Sequence, residues 1–222
     1  MSMKASKGYK GIGMNGPIAW WYAKNTRKNI VDYKKDAKRV ASMVSDGAAI
    51  LELAPGPGYL AIELAKLGNY QVTGLDISHS FVEIARANAK EAGVSIDFRQ
   101  GDAAAMPFDD ESFDFIICRA AFKNFAQPVT ALDEINRVLK NGGKAVIIDL
   151  RGDVSIEAIN KHVEEDLNLS GFNLLLTKWA FKSMLIKRAY TKDQFRELVS
   201  KSSFRTCELQ EDTIGVEVWL EK

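Results

Sequence analysis

What most constrains the fold of this chain is a change of hydrophobic period that repeats from Ala48 onward. Ala49-Ile50-Leu51-Glu52-Leu53 is a continuous apolar run ending in a glycine- and proline-rich turn. Tyr59 to Leu67 then reads as a helix stopped by Gly68. Gln71 to Asp76 is a second strand, and Ser78 to Ala92 a helix that Ser78 or Ser80 can cap and Gly93 ends. Ser95 to Arg99 alternates as a third strand and Phe113 to Cys118 is a fourth. Val129 to Leu139 is an amphipathic helix closed by Asn141-Gly142-Gly143, and Lys144 to Leu150 is a fifth strand. Strands separated by helices of this length pair in parallel through right-handed crossovers, so an α/β fold is expected.

The flanks break this rhythm. Pro17 to Arg27, with its cluster Trp20-Trp21-Tyr22, and Ile30 to Val44 read as two helices ahead of the first strand. Ile156 to Leu169 and Phe172 to Lys187 are two helices in succession, followed by a helix over Thr191 to Ser200. Phe204 to Leu209 and Thr213 to Leu220 are joined too tightly for a helical crossover and should form an antiparallel hairpin on one sheet edge. One domain over 1–222 is expected. Within it, 1–45 is a helical lid, 46–150 the ligand-binding core, 151–190 an inserted helical cover and 191–222 the final helix and hairpin.

Composition excludes more than it assigns. Lys+Arg 30 against Asp+Glu 29 gives no global electrostatic case for a nucleic-acid partner. The charge is uneven, however. From Lys24 to Arg39 there are seven basic residues against Asp32 and Asp36 alone, read first as a solvated helix face. Cys118 and Cys207, each in a predicted strand, read as small hydrophobes and not as a disulfide or metal pair. No apolar run approaches the ~20 residues needed to span a bilayer. Met1 to Gly16 lacks the apolar stretch of a secretory signal, so a reducing, cytoplasmic setting is the expectation.

Three positions carry chemistry, all at the carboxyl ends of predicted strands, where open α/β sheets bind ligands. They are Glu52 with the turn Ala54-Pro55-Gly56-Pro57-Gly58, then Asp76, then Gly101-Asp102-Ala103. Gly56 and Gly58 permit a sharp turn and a close ligand approach. Asp76 is placed to accept from ribose hydroxyls, and Asp102 from an adenine amino group. Gly56 to Ala61 also satisfies the G-x-G-x-x-A form of the dinucleotide fingerprint, which leaves a nicotinamide or flavin enzyme open. Against it, pyrophosphate sites need backbone N–H groups at the turn, and Pro55 and Pro57 have none to give. A ligand with cationic ammonium and sulfonium groups suits this acidic, donor-poor site better.

From Ile50 to Leu150 the chain resembles the class I S-adenosylmethionine (SAM)-dependent methyltransferases, of the broad small-molecule type that includes quinone and sterol methylases. The matching segments are Leu51 to Gly58, Thr73 to Ser78, Gln100 to Ala103 with Met106-Pro107-Phe108, Phe113 to Cys118, and Leu139 to Gly143. The resemblance implies a Rossmann-like seven-stranded sheet, order 3-2-1-4-5-7-6, with strand 7 antiparallel and helices on both faces. It implies SAM as cofactor, S-adenosylhomocysteine (SAH) as product and no metal. It also implies roles. Glu52 orients the ammonium, Gly56 and Gly58 line the methionine moiety and Asp76 holds the ribose. Ile77 and Ala103 lie at the adenine ring, Asp102 contacts its amino group, and the Arg119 backbone accepts from the ammonium. Ala54 stands where the family commonly has its first glycine, which is tolerable if its φ is negative.

The acceptor is expected to be a small, apolar or aromatic molecule taking the methyl on O, S or C, with positioning as the main catalytic effect. Asp149, His79 and Tyr22 are the candidates for a base; the plainer reading of Asp149 is a structural ion pair with Arg151 or another cation, and of His79, as of the remaining His162, a surface residue. Trp20, Tyr22, Phe122, Asn124 and Trp179 are the candidate acceptor contacts. Two adjacent tryptophans cannot both face one core, so one of Trp20 and Trp21 should cover a pocket or a partner. The apolar stretch 172–188 is read as lining an acceptor pocket, with peripheral membrane contact or a homodimer face as competitors. No nucleic-acid partner is expected. A non-catalytic SAM-binding module, an NAD(P)-dependent oxidoreductase and an RNA methyltransferase are the alternatives.

Overall fold

The computed structural model describes residues 8–10, 13–161 and 186–222. Among these, seven strands form one sheet. They are β1 (Ala49–Leu53), β2 (Gln71–Asp76), β3 (Asp97–Gln100), β4 (Phe113–Arg119), β5 (Leu139–Leu150), β6 (Glu208–Glu211) and β7 (Gly215–Glu221). The order is β3-β2-β1-β4-β5-β7-β6, with β1 to β5 parallel and β7 antiparallel to both β5 and β6. This is the expected Rossmann-like order.

The two faces of the sheet follow from side-chain alternation. Ile50, Phe115, Ile117 and Val146 point to one face, where α2 (Ile30–Ala41), α3 (Tyr59–Ala65) and α4 (His79–Ala92) pack on them. Leu51, Leu53, Ile116, Cys118, Ala145 and Ile147 point to the other, under α5 (Pro128–Val138) and α7 (Lys192–Ser200). Ser78 caps α4 by accepting from Phe81 N, and Thr191 with Gln194 makes a full capping box on α7. The helix α1 (Pro17–Thr26) lies on α4 through Ala19 and Ala23, which pack with Phe81 and Ile84. The short α6 (Ile156–Lys161) follows β5.

Two boundaries differ most from the expectation. The helix before β5 ends at Val138, and Leu139 already pairs with Phe113. Lys140 to Gly143 bulge out of the ladder, with Gly142 at φ 76°, before pairing resumes at Lys144. In the hairpin, Phe204 to Thr206 form no strand. Phe204 is buried in the core, Arg205 takes φ 65°, and pairing starts only at Glu208. A core anchor followed by a left-handed residue cannot extend along a neighbouring strand. Cys207 therefore precedes β6, while Cys118 is buried in β4, and both thiols are free.

Candidate functional site

The parallel strands β3, β2, β1 and β4 present their carboxyl ends side by side, and this row collects the acidic residues. Glu52 faces α3, and its Oε2 accepts from Ala61 N in the first turn of that helix at 2.8 Å. Burial pushes its carboxyl up to about 8. Asp76 closes β2. Its Oδ2 accepts from Gly56 N at 3.0 Å and its Oδ1 from Ser78 N at 2.8 Å, while burial raises its carboxyl to about 6. Asp102, after β3, is half-buried and accepts from Ala104 N at 2.9 Å.

The amides of the turn between β1 and α3 are all spent inside the protein. Ala54 N donates to Leu75 O at 2.8 Å, Gly56 N to Asp76, and Gly58 N to Pro55 O at 3.0 Å. Pro55 and Pro57 have no N–H. The two glycines serve different ends. At Gly56 (φ 55°) a Cβ would reach only the Tyr22 ring, at 4.0 Å, across open space. At Gly58 (φ 79°) it would strike Phe98 and Ala85 within 3 Å, so this glycine brings the loop against the core and not against a ligand.

A strap that sequence reasoning missed crosses this row. Gly8 sits on the Asp102 carboxylate with no room for a Cβ, and Ala126 N donates to Gly8 O at 3.1 Å. Tyr9 bridges to Phe125, and Lys10 N donates to Asn124 O at 2.7 Å. Further on, Met14 O accepts from the Ser78 hydroxyl at 2.5 Å and Gly16 N donates to Ser80 Oγ at 2.9 Å. Burial raises the Tyr9 phenol, opposed by Arg188 and reinforced by Asp76. A lone tyrosine in a glycine-rich stretch was the only sequence signal for this.

Residues 51–147 match the family model described as a methyltransferase domain. The demethylmenaquinone methyltransferase of Thermus thermophilus is 39% identical over 101 residues, 45% of this chain and 46% of that protein. A provisionally assigned SAM-dependent methyltransferase structure from Methanococcus maripaludis aligns with TM-score 0.75 at 20% identity, over 100% of this chain and 97% of its own. Residues 51–147 thus share the sequence pattern of a methyltransferase domain, and the sheet has the fold of the SAM-dependent methyltransferase structures. The plantazolicin methyltransferase BpumL, solved with SAH, shares the fold at TM-score 0.66 and 15% identity, over 92% of this chain and 88% of its own. The chain spans about half the length of the curated relatives it matches.

At the carboxyl ends of β1, β2, β3 and β4 lie Glu52, Ala54, Gly56, Asp76, Ile77, Asp102, Ala103 and Arg119, the positions that the sequence assigned to a cofactor. The Arg119 side chain turns away to Asp36 of α2, with Nε to Oδ2 at 2.7 Å, and lies over the Tyr33 ring. That leaves only its backbone facing the row. Ala54 departs from the expectation of negative φ, with φ 52°. The left-handed conformation costs an alanine about 1–2 kcal/mol. Ala54→Gly is therefore expected to stabilise the protein by about 1 kcal/mol, and to raise Tm in a calorimetric scan by about 2–4 °C.

The acceptor-side candidates fare unevenly. Tyr22 stands over the glycine turn, edge-on to Phe81 at 5.7 Å, with its phenol raised by burial. Asn124 is half-buried under the strap. Phe122 is instead fully buried among Phe125, Tyr190 and Phe195, a core position that removes it from the surface of the site. Trp20 is 61% exposed and Trp21 66%. Ala19 and Ala23 take the inward face of α1, and Trp20 is two residues, hence about 200°, from Tyr22. Neither tryptophan covers the pocket. His79 is exposed beside Glu83 at 3.8 Å, as its plainer reading had it. Trp179, His162 and most of 172–188 lie outside the described residues.

Asp149 also leaves the list of bases. Its cation is Lys123 and not Arg151, which pairs with Asp153 and Glu211. Lys123 Nζ lies 2.6 Å from Asp149 Oδ1 and donates to Ala120 O at the same distance, while Lys123 N donates to Asp149 Oδ2 at 2.9 Å. The pair is almost fully buried, with side chains 4% and 1% exposed. It clamps the loop after β4, where Ala120 takes φ 58°. Among the described residues no group of side chains suits a metal ion, and no helix is long and apolar enough to cross a membrane.

Proposed function

We propose that the protein transfers the methyl group of SAM to a small, apolar or aromatic acceptor. The observation that carries this reading is the accounting of the glycine turn. A pyrophosphate needs free amides there, and each one present is already donated internally, that of Gly56 to a carboxylate. An acidic row whose turn amides are spent suits a cationic nucleoside better than a dinucleotide. When bound, SAM supplies an electrophilic methyl group on a sulfonium. Glu52 and the Arg119 carbonyl hold the ammonium, Asp76 the ribose hydroxyls, and Ile77, Asp102 and Ala103 the adenine.

The rest of the chain's contribution is positioning and exclusion of water. With Asp149 neutralised by Lys123 and His79 in solvent, Tyr22 is the remaining candidate of the three. Its raised phenol stays protonated at neutral pH, which makes it a hydrogen-bond donor to the acceptor and not a base. The described residues of the 1–45 segment act as the cover of the 46–150 core. Residues 191–222 complete the sheet. The name of the Thermus thermophilus relative supports a quinol-type ring as acceptor. The test is labelled-methyl transfer across quinols, phenols and thiols. Turnover of a quinol that Asp76→Asn abolishes supports the proposal, and SAM binding without transfer to any acceptor overturns it in favour of a non-catalytic module.

The two raised carboxyls give a pH dependence with opposite signs for stability and affinity. Both folded pKa values lie above the unfolded ones, so the folded ligand-free protein holds extra protons. The stability that these two groups contribute is full at and below about pH 4–4.5 and is lost as pH rises through about 6 (Asp76) and about 8 (Glu52). A cationic ligand prefers both groups ionised. SAM affinity is therefore expected to rise about tenfold from pH 6 to pH 7, below the range where the ligand's own α-amino group titrates. Calorimetric titration at the two pH values, with proton uptake or release measured in two buffers, checks this; a flat affinity would contradict it.

A further inference from the structure

We infer that the outer face of α1, with the basic stretch that follows it, docks the protein on an anionic lipid bilayer. The inference stands on surface chemistry and is independent of the proposed methyl transfer. Ala19 and Ala23 commit one side of α1 to α4. At 100° per residue the remaining positions place Trp20, Lys24, Trp21 and Ile18 within one arc of roughly 160°. All four are exposed, and Val31, at the start of α2, is 73% exposed. Large apolar side chains standing in water beside cations are the composition of a helix that lies in a lipid interface, rings at headgroup depth and ammonium groups on the phosphates.

Charge decides the occupant. From Lys24 to Arg39 seven cations face Asp32 and Asp36. Asp36 is consumed by Arg119 at 2.7 Å and Arg39 by Glu217 at 2.6 Å, which takes both out of the surface balance. Arg27 pairs with Glu91 at 3.5 Å, and among the described residues Lys24, Lys28, Lys34, Lys35 and Lys38 make no ion pair. A second copy brought against this face would oppose the same cations. A sheet of anionic headgroups neutralises them, and the aliphatic Ile18 and Val31 gain from acyl chains what they would not gain from a polyanion in water. The inner side of the same helix carries Tyr22 over Gly56. A bilayer reached by the tryptophans thus lies about one helix diameter, ~10 Å, from the glycine turn.

The test is co-sedimentation of the intact protein with vesicles of phosphatidylcholine alone and with one third phosphatidylserine, together with tryptophan emission. The expected result is at least tenfold stronger binding to the anionic vesicles, weakened by salt, with a blue-shifted emission quenched by brominated acyl chains. Trp20→Ala combined with Trp21→Ala is expected to remove most of the quenching. Lys24→Glu with Lys28→Glu is expected to lower binding at least tenfold while the melting profile is retained. Three results would overturn the inference. One is equal, salt-insensitive binding to both vesicle types. Another is no vesicle binding with salt-sensitive capture of an RNA oligonucleotide. The third is a concentration-dependent dimer that Trp21→Ala dissolves.

Discussion

Replacing Lys123 by methionine is expected to destabilise the protein by about 3–5 kcal/mol, because it leaves the Asp149 carboxylate buried without its cation. In a domain of this size that lowers Tm by about 10 °C. The sign of the double variant is the informative part. Asp149 accepts from Lys123 N and Leu150 N as well as from Nζ. Asn at 149 keeps an amide-accepting oxygen without the charge, so Lys123→Met combined with Asp149→Asn should recover at least half of the loss. A strictly additive pair of losses in chemical denaturation would show that the two groups do not act as one unit. The clamp also orients Ala120 to Asn124, so methyl transfer by the single variant should fall below what its folded fraction accounts for.

Asp76→Asn is expected to weaken SAM binding by about 100-fold, near 3 kcal/mol, since charge-assisted hydrogen bonds to two ribose hydroxyls contribute about 1.5 kcal/mol each. Stability should fall by no more than about 1–3 kcal/mol, the cost of leaving one of the two N–H groups without an acceptor. The asparagine is isosteric and still accepts from Gly56 N or Ser78 N, and it removes a carboxyl that burial already disfavours as an anion. Calorimetric titration beside a thermal scan separates the two effects. Unchanged affinity would remove Asp76 from the site, and a collapsed Tm would make its role structural.

The strand ends at Glu52, Asp76 and Gly101-Asp102 were legible because each is local: an apolar run, then a turn, then a capped helix. Period and punctuation are short-range properties, and they placed four of the five parallel strands within a residue or two at most boundaries. Local reading failed where one residue answers to a distant one. Phe204 looked like strand and is a core anchor, because the space under α5 and α7 decides its side chain. Ala54 looked tolerable at negative φ, and its hydrogen bond to Leu75 O in the neighbouring strand accompanies a positive one.

The chemistry of the chain thus divides by range. Its pattern of apolar runs and glycine turns was enough to specify a parallel sheet and to line up the acidic row at its edge, since backbone alternation alone sends those side chains there. Tertiary packing decided which polar groups remain available. Lys123 claims Asp149 across 26 positions, the turn's amides are used up before any ligand arrives, and the tryptophans are turned outward by two alanines. A buried charge must find a partner wherever the fold supplies one, and that choice is written in no local stretch of residues.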